Sequence, residues 1–70
     1  MAEELSLTVN GEPRRVAPGS SIADLVSGIG LDPRKVAVER NGEIAPRSTL
    51  ADVLLADGDV LEIVHFVGGG

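Results

Sequence analysis

The group with the clearest potential for chemistry is the carboxylate of Gly70, which ends the sequence after Gly68 and Gly69. Glycines have no side chains, so such a segment can pass through a channel too narrow for any Cβ. Fully extended, it could reach about 10 Å past residue 67, at roughly 3.3–3.6 Å per residue. Because glycine loses more backbone entropy on ordering than any other residue, we expect residues 68–70 to form a flexible tail. The pattern suits a carboxylate delivered into another protein's active site, although a chain end without function would look the same.

Few side chains elsewhere suggest catalysis. The sequence has no cysteine and one histidine, His65, which excludes a thiol nucleophile, a disulfide framework and a thiolate metal site. A histidine without a second ligand is better explained as a half-buried residue at a strand end, so no metal site is predicted. Asp57 and Asp59 flank Gly58 and are interpreted as turn residues. Arg47 is expected to contact this Asp57–Asp59 loop, with a partner's carboxylate as the alternative.

Composition excludes several classes of partner. Eleven acidic residues against six Lys and Arg give a net charge of -5, whereas phosphate binding needs clustered basic side chains. Phe66 is the single aromatic residue, which argues against base stacking as well. No apolar run approaches the roughly 18 residues of a membrane span, and the N-terminus lacks the pattern of a secretory signal. We therefore expect one small cytoplasmic domain that binds neither nucleic acid nor membranes.

The elements that would position the tail form an α+β domain of residues 1–67. Alternating residues and two Asn-Gly turns predict a mixed sheet of four to five strands. The predicted strands are 5–9, 12–16, 35–40, 43–45 and 60–67, with the last at the centre beside the first. Pro13 places the second strand at an edge, because proline cannot donate a backbone hydrogen bond.

A single amphipathic helix should cover one face of this sheet. Its apolar stripe recurs at i, i+3, i+4 and i+7, which is the spacing of one helical face. The stripe consists of Ile22, Leu25, Val26 and Ile29. Ser21 and Asp24 predict a capping box at its start. Residues 48–55 are interpreted as a short helical turn with Leu50, Val53 and Leu54 on its apolar side.

The last strand leads directly to the tail, so its alternation determines what surrounds the tail. Glu62 should face solvent, which places Val60, Val64 and Phe66 on the same outer side. Leu61, Ile63 and His65 would then face the helix. An exposed apolar row of this kind usually marks a partner surface. The alternative is that residues 48–55 cover it.

Together these features resemble a known family. The motifs are Val36–Ile44 with its Asn-Gly turn, Pro46-Arg47-Ser48, Asp57-Gly58-Asp59 and the run Glu62–Gly70. They are similar to the ubiquitin-like β-grasp superfamily, and within it to the sulfur carriers of bacterial thiamine biosynthesis. The resemblance spans essentially the whole chain. Leu50 is a departure, because the family often has Trp there, and this affects packing rather than the tail.

The resemblance implies a carrier rather than an enzyme. A ubiquitin-activating-like adenylyltransferase would use ATP and Mg to adenylate Gly70, while the carrier itself binds no cofactor. Sulfur from a cysteine desulfurase would convert the adenylate to a thiocarboxylate, and thiazole synthase would receive that sulfur. Gly68 and Gly69 would thread the enzyme's channel, and Val67 would join Val60, Val64 and Phe66 in binding the partner.

Three other functions remain open at this point. The small subunit of molybdopterin synthase has a similar fold and tail. A ubiquitin-like protein modifier would use the same carboxylate to form isopeptide bonds. A non-catalytic interaction domain would use only the sheet.

Overall fold

A five-stranded mixed sheet with one helix forms the fold in the computed structural model, which describes residues 3–66. The strands are β1 (Leu5–Val9), β2 (Glu12–Val16), β3 (Val36–Arg40), β4 (Glu43–Ala45) and β5 (Val60–His65), and the helix is α1 (Ile22–Gly28). The strand order is β2-β1-β5-β3-β4. The predicted α+β class is therefore confirmed, with β5 in the middle of the sheet.

β5 has partners on both sides. It is antiparallel to β3 over five residue pairs, from Val36 opposite His65 to Arg40 opposite Leu61. Its pairing with β1 is parallel and covers only two pairs, Thr8 with Val60 and Val9 with Leu61. The remaining hydrogen-bonding groups on this side of β5 need other partners, since an unpaired buried backbone group is costly.

Both Asn-Gly dipeptides form the tight hairpin turns that the sequence predicts. Asn10 and Asn41 each have a φ of 52°, and the glycines that follow have φ of 82° and 85°. A two-residue turn with positive φ at both positions matches the twist of the flanking strands. Pro13 lies in β2, an edge strand, as expected.

Helix α1 begins at a complete capping box. The backbone N–H of Asp24 donates to Ser21 Oγ at 3.0 Å, and the N–H of Ser21 donates to Asp24 Oδ2 at 2.9 Å. The helix packs on one face of the sheet with a core of eleven buried side chains. They are Leu7, Val9, Ile22, Leu25, Val26, Val36, Val38, Leu50, Leu55, Leu61 and Ile63. No helix within residues 3–66 is long and apolar enough to cross a membrane.

The segment after β4 differs from the prediction. The helical turn is a short 3-10 turn, Arg47–Thr49, and the chain then extends to bridge Leu54 with Ser21. In extended backbone, neighbouring side chains point to opposite sides. Leu54 is therefore exposed and Leu55 occupies the core, so the predicted apolar role of Leu54 is wrong. Leu50 is buried as expected.

Candidate docking surface

The face of the sheet opposite α1 is open to solvent. Along β5, Leu61 and Ile63 are buried, whereas Glu62 between them is exposed. Val60, Val64 and Phe66 lie on the outer side and are 50%, 59% and 45% exposed. Residues 48–55 leave this side uncovered, because Leu50 and Val53 hydrogen-bond through their carbonyls to the start of α1 on the opposite side. The outward placement of Val60, Val64 and Phe66 is the one predicted from the alternation along the strand. Their contact with a partner stays a prediction.

The pairing of β3 with β5 and β4 places three further residues on this side of the sheet. Ala37 lies opposite Val64, and Glu39 lies opposite Glu62. On its other side Glu39 faces Ile44, which is 69% exposed. We call Ala37, Glu39, Ile44, Val60, Glu62 and Val64 the outer face. The sequence signal for Ile44 was weak because β4 has only three residues.

His65 is the last residue of β5 and lies opposite the buried Val36, on the helix side of the sheet as predicted. Its burial differs from the prediction, because the residue is exposed rather than half-buried. At the last residue of a strand a side chain has strand neighbours on one side only, so alternation does not ensure burial there. Within residues 3–66 no group of three or more potential ligands could hold a metal ion.

Arg47 contacts the end of β5 and not the Asp57–Asp59 loop, so that expectation is wrong. Its guanidinium carbon lies 5.7 Å from the centroid of the Phe66 ring, within the range of a cation–π contact. Arg47 Nη1 also donates to the Arg34 carbonyl at 3.1 Å. The Phe66 N–H donates to the Lys35 carbonyl at 2.9 Å. Phe66 is therefore held by its backbone to Lys35, just before β3, and by its ring to Arg47, just after β4.

Asp57 and Asp59 flank a tight turn at Gly58, as predicted, and Asp59 also forms an ion pair with Arg40. Its Oδ2 accepts from Arg40 Nη2 and Nε, both at 2.9 Å, and from the Ala56 N–H at 2.9 Å. Oδ1 accepts from Asn41 Nδ2 at 3.0 Å. Burial alone would raise the pKa of Asp59, but the Ala56 N–H, Asn41 and Arg40 together hold that pKa below its usual value. The ionised carboxylate thus fixes the loop that leads into β5.

The two turn asparagines also hold β5 in place. Asn10 Oδ1 accepts from the Ile63 N–H at 2.8 Å, and Asn10 Nδ2 donates to the Ile63 carbonyl at 3.2 Å. Asn41 Oδ1 accepts from the Val60 N–H at 2.9 Å. The side chain of Asn10 therefore continues the β1–β5 pairing past the point where the β1 backbone turns away. The Asn-Gly pattern by itself predicts only the two turns.

The predicted reacting and threading residues, Gly68–Gly70, lie outside the described residues, as does Val67. The structure therefore describes the strand that leads toward them as far as Phe66. β3 pairs with β5 from Leu61 to His65, whereas β1 pairs with it only at Val60 and Leu61. Phe66 is anchored beside the open face of the sheet through its backbone bond to Lys35.

Two structural likenesses confirm the ubiquitin-like β-grasp fold. The crystal structure of the thiamine biosynthesis protein ThiS from Geobacter metallireducens matches with a TM-score of 0.72 and 36% identity, over 94% of this chain and 100% of that one. A solution structure of a computationally designed protein, based on human erythrocytic ubiquitin, has a TM-score of 0.53 at 15% identity over 97% of this chain and 96% of that one. The latter shows the fold alone.

Sequence relatives are of two lengths. A thiazole synthase from Paramagnetospirillum magneticum is 50% identical over 66 residues, which are 94% of this chain but 20% of that protein. The chain therefore spans about a fifth of that relative's length. The sulfur carrier protein ThiS of Bacillus subtilis is 50% identical over 50 residues, covering 71% of this chain and 76% of that protein. The ThiS family model matches residues 7–70, nearly the whole sequence, and the chain belongs to the ThiS family.

Proposed function

We propose that this chain is a sulfur carrier for thiamine biosynthesis and that the Gly70 carboxylate holds the sulfur. The observation that carries the proposal is the family match, which runs from residue 7 through the terminal glycines to residue 70. The likeness to the Bacillus subtilis sulfur carrier supports it. The geometry is compatible, because the end of β5 nearest the tail is held by β3 and lies beside an open face.

The chemistry follows from the weakness of a carboxylate as an acyl donor. A carboxylate oxygen of Gly70 attacks the α-phosphorus of ATP, which forms the acyl-adenylate and releases pyrophosphate. A hydrosulfide equivalent then attacks the carbonyl carbon, and AMP leaves with the electrons of the broken C–O bond. The product is a thiocarboxylate. With sulfide as the donor this substitution needs no oxidant or reductant, whereas the persulfide of a desulfurase would form an acyl disulfide, which a thiol then reduces to the thiocarboxylate. A partner adenylyltransferase uses the ATP and Mg, and the chain acts as its substrate.

Thiazole synthase is the proposed acceptor of the sulfur. Support comes from the thiazole synthase of Paramagnetospirillum magneticum, whose sequence includes a segment similar to this chain. A covalent link of this kind raises the effective concentration of the carrier at the acceptor, which favours repeated sulfur transfer between the two. A cysteine desulfurase as the sulfur source and the cytoplasm as the compartment are further parts of the proposal.

The direct test is intact-mass analysis after incubation with ATP, Mg, the adenylyltransferase and a sulfide source. Sulfur transfer requires a species heavier by the exchange of one oxygen for one sulfur. Deletion of Gly70 should abolish this species, because the carboxylate then ends one residue short of the partner's reacting centre. Unmodified chain after complete incubation of the wild type would contradict the proposal, as would efficient charging of the deletion variant.

Matched variants separate chemistry from folding. Gly70→Ala keeps the carboxylate but adds a Cβ, so it should be charged more slowly than the wild type. Glu12→Gln, on the opposite edge of the sheet, should be charged normally. All variants should unfold at the wild-type temperature. Covalent adducts with lysines of other proteins would instead indicate a modifier, and sulfur delivery to a molybdopterin precursor would indicate the molybdenum pathway.

A further inference from the structure

Two glutamates occupy the middle of the outer face. Glu39 of β3 and Glu62 of β5 are directly opposite each other, and Ile44 of β4 lies next to Glu39 in the same cross-strand row. Directly opposed residues have Cβ atoms about 4.5–5.5 Å apart, and like charges in such a pair destabilise the sheet. Neither carboxylate has an ion-pair partner among residues 3–66. Repulsion between the two carboxylates therefore opposes the pairing of β3 with β5 at this position.

Apolar side chains surround the two carboxylates. Val64 and Ala37 form the next cross-strand pair on one side, and Val60 lies two residues before Glu62 on the other. Ile44 closes the row at the β4 edge. A group bound between the glutamates would therefore be shielded from water by its neighbours, and shielding strengthens an electrostatic interaction that is well paired.

We infer that the Glu39–Glu62 pair binds an arginine side chain that a partner protein presents among apolar groups. This inference rests on the proposed function for the choice of partner, which is the adenylyltransferase. A guanidinium has five donors in a planar fork and can bond two neighbouring carboxylates at once, which a single ammonium does less well. The occupant is not a second copy of this chain, because face-to-face packing would bring four carboxylates together.

Binding kinetics provide the test. Glu39→Gln and Glu62→Gln should each weaken binding to the purified adenylyltransferase about 10-fold, as expected for loss of a charged hydrogen bond. The loss should appear mainly in the dissociation rate and persist when NaCl is raised from about 0.15 to about 0.5 M, since shielded pairs are screened little. The control Glu12→Gln/Asp52→Asn matches the charge change of the double variant Glu39→Gln/Glu62→Gln. Both of its positions are exposed, and they lie on the side of the sheet that carries α1, since Glu12 is opposite the buried Val9 and Asp52 precedes Val53, which bonds to α1. It should bind within about two-fold of the wild type.

Several results would overturn the inference. They are unchanged affinity of the double variant, an equal loss in the control, and an effect confined to the association rate that disappears in high salt. The double variant should unfold at or above the wild-type temperature, because a like-charge contact is removed. A lower temperature would trace weaker binding to damaged folding and would also count against the inference.

Charge exchange tests the arginine itself. In a scan of arginines on the enzyme's docking face, one Arg→Glu substitution should weaken binding of the wild type and restore binding of Glu62→Lys. If no substitution does so, the arginine assignment fails. Sulfur charging is measured in a separate assay. If binding depends on the two glutamates but Gly70 is never charged with sulfur, only the proposed function is contradicted. If Gly70 is charged but binding does not depend on the glutamates, only this inference is contradicted.

Discussion

The carboxylate of Asp59 predicts how stability depends on pH. Its pKa is lowered in the folded state, so its contribution is fully present above the unfolded-state pKa of about 3.9 and is lost as pH falls through the folded value. Asp59→Asn should lower the free energy of unfolding by about 1–3 kcal/mol at pH 7, because Arg40 loses its charged partner. The difference from the wild type should shrink as pH falls below about 4.

Denaturant unfolding of both proteins between pH 3 and pH 7 measures this difference. Asp52→Asn is the matched control, since it removes the same charge from an exposed residue outside the network. Its difference from the wild type should stay small at every pH. A constant Asp59→Asn difference down to pH 3 would show that the ionised carboxylate is not what stabilises the loop.

At the scale of elements, the asparagines after β1 and β3 connect two hairpins to the central strand. Asn10→Gly tests this, because glycine retains the positive φ of the turn and removes only the side chain. Loss of both hydrogen bonds to Ile63 should cost about 2 kcal/mol, or roughly 8–16 °C in the unfolding temperature. Thermal unfolding by circular dichroism gives the value. Asn10→Gly with wild-type stability would mean that the turn geometry alone determines the register.

Local patterns predicted the elements well because each depends on neighbouring residues. The Asn-Gly turns, the box of Ser21 and Asp24 and the alternation of β5 are all readable over a few positions. The errors arose where distant residues decide the outcome. Arg47 had several possible partners, and only the fold brings it to Phe66. Pairing of Glu39 with Glu62 depends on the β3–β5 register, which the separate strands do not reveal.

At the scale of the whole molecule, the two faces of the sheet are expected to have different roles. The face under α1 should determine stability, and the outer face should determine binding to a partner. Ile63 and Val64 are adjacent in β5, yet one is 7% exposed in the core and the other 59% exposed on the outer face. Ile63→Ala should cost about 2–4 kcal/mol of unfolding free energy, because it leaves a cavity beneath α1. Val64→Ser should change stability by less than about 1 kcal/mol, since surface substitutions usually have small effects.

Binding to the adenylyltransferase should be affected by Val64→Ser more than by Ile63→Ala. Val64→Ser should weaken binding to the adenylyltransferase roughly 10-fold by removing apolar contact at a desolvated interface. Ile63→Ala, assayed well below its unfolding temperature, should bind within about two-fold of the wild type because the outer face is unchanged. Chemical unfolding and equilibrium binding on the same two variants measure both quantities. If stability and binding fell together in either variant, the two faces would not be separable, and the outer face would have to be regarded as part of the folding core.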